Sequence, residues 1–73
     1  MKFSPELAVA IRQSLGMGPA EAARAIGLSR QGLHNIEVGD SVPSVDTLAR
    51  MATAYGRGVG DFFVAAPAEA ATL

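Results

Sequence analysis

The stretch that decides the fold runs from Gly18 to Gly39 and reads GPAEAARAIGLSRQGLHNIEVG. Pro19 suits the first turn of a helix, and the alanine-rich segment after it stops at Gly27, which can adopt the left-handed conformation of a tight turn. Ser29 is a typical N-cap for the helix that follows. The pattern therefore predicts two helices joined by a sharp turn.

The side chains of these two helices divide into an inward and an outward set. Ala23 is the small residue that two crossing helices need where they touch, and Gly27 gives the turn its positive φ. The other residues predicted to be buried are Ala22, Ile26, Leu28, Leu33 and Ile36. The outward set of the second helix, Arg30 to Glu37, is Arg30, Gln31, His34 and Asn35. One side of this helix is thus free to enter a groove.

Similar signals predict helices on both sides of this segment. Ser4 and Pro5 begin a helix to Leu15, with Leu7, Ile11 and Leu15 on its inner face. Ser44 caps a helix from Val45 to Tyr55, with an inner face of Leu48, Met51, Ala52 and Tyr55. A short apolar turn follows, formed by Val59, Phe62 and Phe63. No segment alternates long enough to predict a strand.

The predicted fold is all-α, a compact bundle of four helices and a short fifth. The domain is expected to span residues 1–63, followed by an Ala-rich tail at 64–73. We expect that tail to lack fixed structure, with an ordered tail as the alternative. The apolar side chains from Tyr55 to Phe63 have two open interpretations, as core or as a dimer patch.

Composition narrows the function. The 73 residues include no cysteine and one histidine, which excludes disulfides and a structural zinc site and predicts no metal or cofactor. A net charge of −1 argues against non-specific binding of polyanions. Hydrophobic residues make up 49% of the chain and charged residues only 18%, and this excess of apolar content favours a buried subunit interface. No apolar run is long enough to span a membrane, so we expect a cytoplasmic protein, associated with the nucleoid if it binds DNA.

Taken together, the sequence resembles the phage repressor/Cro-type (lambda repressor-like) helix-turn-helix domain over roughly residues 7–63. The resemblance rests on elements in register, namely Ala22-Ala23, Ile26-Gly27-Leu28-Ser29, Leu33, Ile36-Glu37 with Gly39, Pro43-Ser44, Thr47-Leu48, Ala52, Tyr55-Gly56 and Asp61-Phe62-Phe63. It implies a central helix-turn-helix whose second helix lies in the major groove of double-stranded DNA.

The resemblance also implies roles for individual residues. Arg30, Gln31 and Asn35 occupy base-reading positions, and His34 lies beside them. Ser29 and Ser44 occupy helix N-termini that face phosphates. Arg12 is expected to pair with Glu37. The alternative for Arg30, Gln31 and Asn35 is a solvated helix face without a binding role. The alternative for Arg12 and Glu37 is two independent surface charges.

Three departures from that family affect affinity. Pro19 stands where glutamine is frequent and cannot donate to a phosphate, the loop after the second helix holds Asp40 and no Lys or Arg, and Gly32 interrupts that helix. Since one such domain is expected to bind weakly, we predict a homodimer on two half-sites.

The predicted function is sequence-specific DNA binding and transcriptional regulation, as a dimeric repressor at a partly palindromic operator. One alternative is an antitoxin-type protein that binds DNA and also neutralises a protein partner. Another is a helical protein-interaction module without DNA binding. An enzyme is not expected, because His34 with Ser29 or Ser41 lacks an acidic partner and an oxyanion hole.

Overall fold

The computed structural model describes residues 1–65, and four α-helices account for most of them. The helices are α1 (Pro5–Ser14), α2 (Pro19–Ile26), α3 (Arg30–Glu37) and α4 (Val45–Tyr55), followed by one turn of 3₁₀ helix at Val59–Phe62. The prediction of four helices and a short fifth is confirmed. Of the predicted tail, residues 66–73 lie outside the described residues.

Three helices begin at a serine whose hydroxyl caps the first turn. The Oγ atoms of Ser4, Ser29 and Ser44 accept hydrogen bonds from the N–H groups of Leu7, Gly32 and Thr47, at 3.2, 3.0 and 3.1 Å. Each bond satisfies one of the backbone donors that a helix leaves free at its start. The predicted caps are therefore present at α1, α3 and α4.

Gly27 ends α2 and sets the direction of the chain into α3. Its φ of +92° lies in the left-handed region, and a Cβ there would stand 3.3 Å from Nη1 of Arg50. The carbonyl of Ala23 accepts the N–H groups of both Gly27 and Leu28, at 2.9 and 2.8 Å. This arrangement closes the helix and makes the turn tight.

The core lies where α2 packs against α3 and α4, and where α1 packs against α3. Its apolar members are Phe3, Ala8, Ile11, Ala22, Ala23, Ile26, Leu33, Ile36, Leu48, Met51, Ala52, Tyr55 and Phe62. Three predicted inner residues differ from the prediction, and one of them, Leu7 on α1, is only half-buried. Leu15 is 44% exposed because α1 ends at Ser14 and Leu15 is only its C-cap. Leu28 is half-buried at the edge of the core.

Tyr55 and Phe62 belong to this core, with relative exposures of 3% and 0%. Their ring centroids are 6.1 Å apart. The interpretation of these two rings as a dimer patch is therefore wrong, because they have no surface to offer a partner. Phe63 is half-buried, and Val59 is exposed.

The prediction that the chain holds no strand is also wrong. Lys2–Phe3 forms β1 and Phe63–Val64 forms β2, and the two pair antiparallel. The rings of Phe3 and Phe63 meet edge to face, 6.1 Å apart, and Phe3 is buried. This small ladder holds the start of α1 to the end of the 3₁₀ turn.

Candidate nucleic-acid interface

Helix α3 buries one side and presents the other. Leu33 and Ile36 are 1% and 5% exposed, and they anchor the helix to the core. On the opposite side Arg30, Gln31 and His34 are exposed and Asn35 is half-buried. All four predicted base-reading residues thus share one outward face of one helix.

A shallow hollow between the start of α2 and α3 is lined by Pro19, Arg30, Gln31 and His34. Within residues 1–65 the ion pairs join Arg12 to Glu37 and Arg50 to Asp46, so Arg30 keeps its charge free. Its guanidinium has five donors in a planar fork, which matches the two acceptors of guanine in the major groove.

Gln31 and Asn35 are hydrogen-bonded to each other on this face. Gln31 Nε2 donates to Asn35 Oδ1 at 2.9 Å, across one turn of α3. Sequence analysis placed both residues in the outward set and missed this contact. The four-residue spacing of two amides was the signal that could have revealed it.

The two serines assigned to phosphates lie at the starts of α3 and α4. Ser29 Oγ accepts from the N–H of Gly32, and Ser44 Oγ also donates to Thr47 Oγ1 at 3.0 Å. The first N–H groups of each helix have no intrahelical partner, and the helix dipole makes these ends favourable for an anion. Both helix starts are exposed at their serine.

Gly32 lies beside the serine cap that begins α3. A Cβ at Gly32 would lie 3.1 Å from Ser29 Oγ, closer than ordinary contact. A side chain at this position would press on the serine hydroxyl that begins α3. Gly32 leaves that hydroxyl unhindered at some cost in helix propensity, although Leu7 and Thr47 hold the same position beside the caps Ser4 and Ser44.

The Arg12–Glu37 ion pair fixes the end of α3 against α1. Arg12 Nε donates to Glu37 Oε2 at 2.7 Å and Nη2 donates to Oε1 at 3.2 Å. Arg12 Nη1 also donates to the carbonyl of Met17 at 2.9 Å. The two side chains are only 10% and 11% exposed, so the alternative of two independent surface charges is wrong.

A family model described as helix-turn-helix matches residues 10–62. The chain belongs to the helix-turn-helix family. Among solved structures it is similar to ComR from Streptococcus suis, with 23% sequence identity and a TM-score of 0.73. That match covers 99% of this chain and 25% of ComR, so the chain spans about a quarter of that protein's length. No curated protein matches the chain.

Within this helix-turn-helix domain, α2 and α3 are the two motif helices and α3 is the second. In helix-turn-helix domains the second helix of the motif is the one that enters the major groove. At 23% identity, the likeness to ComR shows the fold alone.

Tyr55 sits behind the helix-turn-helix, near the Arg12–Glu37 pair. Its hydroxyl is buried and has no hydrogen-bond partner. Burial, the largest cause, and the negative charge of Glu37 raise the pKa of Tyr55, Arg12 acts in the opposite direction, and the net result is a pKa of about 12. The phenol is therefore neutral at any physiological pH.

The described part of the helix-turn-helix domain offers little else for chemistry. In residues 1–65 no three His, Asp or Glu side chains are placed to hold a metal ion. None of the helices there is long and apolar enough to cross a bilayer.

Proposed function

We propose that this domain binds double-stranded DNA with α3 in the major groove and regulates transcription at a specific operator. The observation that carries the proposal is the outward face of α3, where a free arginine and two amides stand on the second helix of the motif. Arg30 pairs with a guanine and Gln31 with an adenine, since these pairings match donors to acceptors.

Phosphates on either side of the groove are bound mainly by the helix starts at Ser29 and Ser44. Backbone N–H groups supply these contacts, and they carry no base information. Of the six Lys and Arg residues, Arg12 and Arg50 are held in ion pairs. Few cations are left to neutralise phosphates, so a single domain binds weakly.

Weak single-site binding supports a homodimer acting as a repressor on a partly palindromic operator. Two linked half-sites raise affinity without new contacts, and their centres lie about one helical turn of DNA apart. Because Tyr55 and Phe62 are core, the dimer surface draws on the exposed apolar side chains instead. These include Leu15, Val59 and Val64, which lie outside α3 and the α3–α4 loop.

Selection of bound sequences from random DNA tests this function. The domain is expected to enrich a site with two related halves, and sedimentation is expected to show a dimer at micromolar concentration. Arg30→Ala is expected to cost about 1–3 kcal/mol and to relax preference at one base pair. Arg57→Ala, which removes another exposed arginine after α4, is the matched control. If Arg30→Ala lowers the affinity for specific and random DNA equally, Arg30 contacts a phosphate and does not read a base.

A protein-interaction module without DNA binding is the competing function. The observation that favours it is the loop after α3, where Val38 and Val42 are 52% and 78% exposed and Asp40 is the charged residue. A gel shift with genomic fragments at low salt separates the two functions. Absence of any shifted band would favour the interaction module.

A further inference from the structure

The Gln31–Asn35 hydrogen bond ties together the two amides of the proposed reading face. It spans 2.9 Å between Gln31 Nε2 and Asn35 Oδ1 on an exposed part of the helix. Residues four apart are neighbours on a helix surface, and a bond between them limits the rotamers of both side chains. Gln31 is thus oriented before DNA arrives.

This bond defines what Gln31 has left to offer. A glutamine amide carries two N–H donors and one carbonyl oxygen. One N–H is given to Asn35, which leaves one N–H and Oε1. A donor beside an acceptor is the complement of adenine, whose N7 accepts and whose N6 amino group donates in the major groove.

The other residues that line the hollow do little to orient the Gln31 amide. Pro19, which lines the same hollow, has neither an N–H nor a polar side chain. Arg30 and His34 are the remaining lining residues, and both are exposed. The Gln31 side chain is hydrogen-bonded to Asn35.

We propose that Asn35 is a positioning residue that holds the Gln31 amide in the orientation that reads one A·T base pair. This inference rests on the proposed DNA binding by α3. It replaces the expectation that Asn35 reads a base of its own. The two amides then act as one reading unit, so each half-site of the operator has one adenine position that depends on both residues.

The size of the loss in DNA affinity distinguishes a positioning role from direct reading of a base. Loss of a direct bidentate contact costs about 5- to 150-fold in affinity. Loss of one orienting hydrogen bond costs roughly two- to tenfold. Asn35→Ala is therefore expected to have the smaller effect, at the same base pair as Gln31→Ala. The double variant is expected to match Gln31→Ala alone.

Asn35→Asp gives the sharper test, because it keeps the oxygen that accepts from Gln31 and loses the amide donors. Its negative charge lowers affinity for all DNA alike. If Asn35 positions Gln31, the base-preference profile of Asn35→Asp stays that of the wild type, whereas Asn35→Ala flattens it at one position. If Asn35 reads a base through its N–H groups, Asn35→Asp loses that preference.

The experiment measures base-preference profiles of the wild type, Gln31→Ala, Asn35→Ala, Asn35→Asp and the double alanine variant by selection from random DNA. Gln13→Ala, which shortens an exposed glutamine on α1, is the matched control. Circular dichroism melts verify that each variant is folded. Additive effects at two base pairs, or an unchanged profile for Asn35→Ala, would overturn the inference. A wild type that selects no sequence would instead overturn the proposed function, and the inference with it.

Discussion

Arg12 and Glu37 lie 25 residues apart in the sequence and are joined by two parallel hydrogen bonds beneath the surface of the domain. A third N–H of the same guanidinium holds the carbonyl of Met17, in the turn before α2. One side chain therefore connects α1, the entry to α2 and the end of α3. Because α3 is the proposed reading helix, this pair fixes its placement on the rest of the domain.

Breaking this pair is expected to be costly. Glu37→Gln or Arg12→Met leaves a buried partner without its counter-charge, and such losses cost about 3–5 kcal/mol. The double change is expected to cost less than the sum of the two, since no lone charge remains. Urea unfolding of the wild type, both single variants and the double variant measures this coupling.

The Asp46–Arg50 pair on α4 is the control for that cycle. Its atoms are 2.8 Å apart, but the side chains are 73% and 53% exposed. Exposed pairs of this spacing contribute about 0.3–0.5 kcal/mol, because water and salt screen them. Removing either partner is thus expected to change stability little. Similar small costs at Arg12 and Glu37 would show that the buried pair contributes no more than a surface pair.

Removal of the Tyr55 hydroxyl is expected to raise stability, unlike the changes at Arg12 and Glu37. This buried hydroxyl has no partner, and an unsatisfied polar group destabilises a fold by about 1–3 kcal/mol. Tyr55→Phe keeps the ring beside Phe62 and removes the hydroxyl, so we expect a rise in the free energy of unfolding at pH 7. A clear loss of stability would mean that the hydroxyl is hydrogen-bonded in solution.

The same residue predicts how stability changes in alkali. The pKa of Tyr55 is raised from 10.0 to about 12, so above pH 10.0 the unfolded chain loses a proton that the folded chain retains. Stability is therefore complete below pH 10.0 and falls as the pH rises towards 12. The chain has one Tyr and no Trp, so ultraviolet absorbance follows this ionisation directly. Tyr55→Phe is expected to lack this part of the alkaline loss.

The features that could be predicted from the sequence are those that depend on a few neighbouring residues. Ser29 and Ser44 mark helix starts and Gly27 marks a helix end, because caps and left-handed turns depend on a few neighbouring residues. The pairing of Phe3 with Phe63 was missed, since two-residue strands show no alternation and join the two ends of the described chain. Leu15 was misplaced because it follows the end of α1 by one residue.

For the candidate site, residue spacing located the outward face of α3 but gave no information on contacts within it. The hydrogen bond between Gln31 and Asn35 depends on the orientation of both side chains, which residue spacing does not give. The Arg12–Glu37 pair was expected only through the resemblance to a family, since nothing local links residues so far apart.

Gly32 and Ser29 are expected to be energetically coupled. Gly32→Ala gains about 1 kcal/mol of helix propensity, but its Cβ presses on Ser29 Oγ and weakens a cap worth about 1 kcal/mol. When Ser29 is present, the gain in helix propensity and the loss of capping caused by Gly32→Ala are expected to cancel to within about 0.5 kcal/mol. In a Ser29→Ala background the hydroxyl is gone, so Gly32→Ala is expected to show its full gain. Unfolding of the four proteins decides this, and an equal gain in both backgrounds would rule out the coupling.

The scarcity of free cations near α3 predicts that affinity for DNA has a shallow salt dependence and is easily raised. Val42 is 78% exposed in the loop between α3 and the start of α4, both of which we propose to lie against DNA. Val42→Lys is expected to add one phosphate contact and to steepen the slope of log K against log salt by about 0.9.

Thr53→Lys is the matched control for this change, since Thr53 is also exposed and uncharged but lies near the end of α4, far along the helix from Ser44. It adds the same net charge away from α3, so it is expected to raise affinity less and to leave the salt slope nearly unchanged. Fluorescence anisotropy at several salt concentrations gives both slopes. Equal slopes for the two lysine variants would show that the α3–α4 loop does not approach the phosphates, because only a local contact releases a counterion.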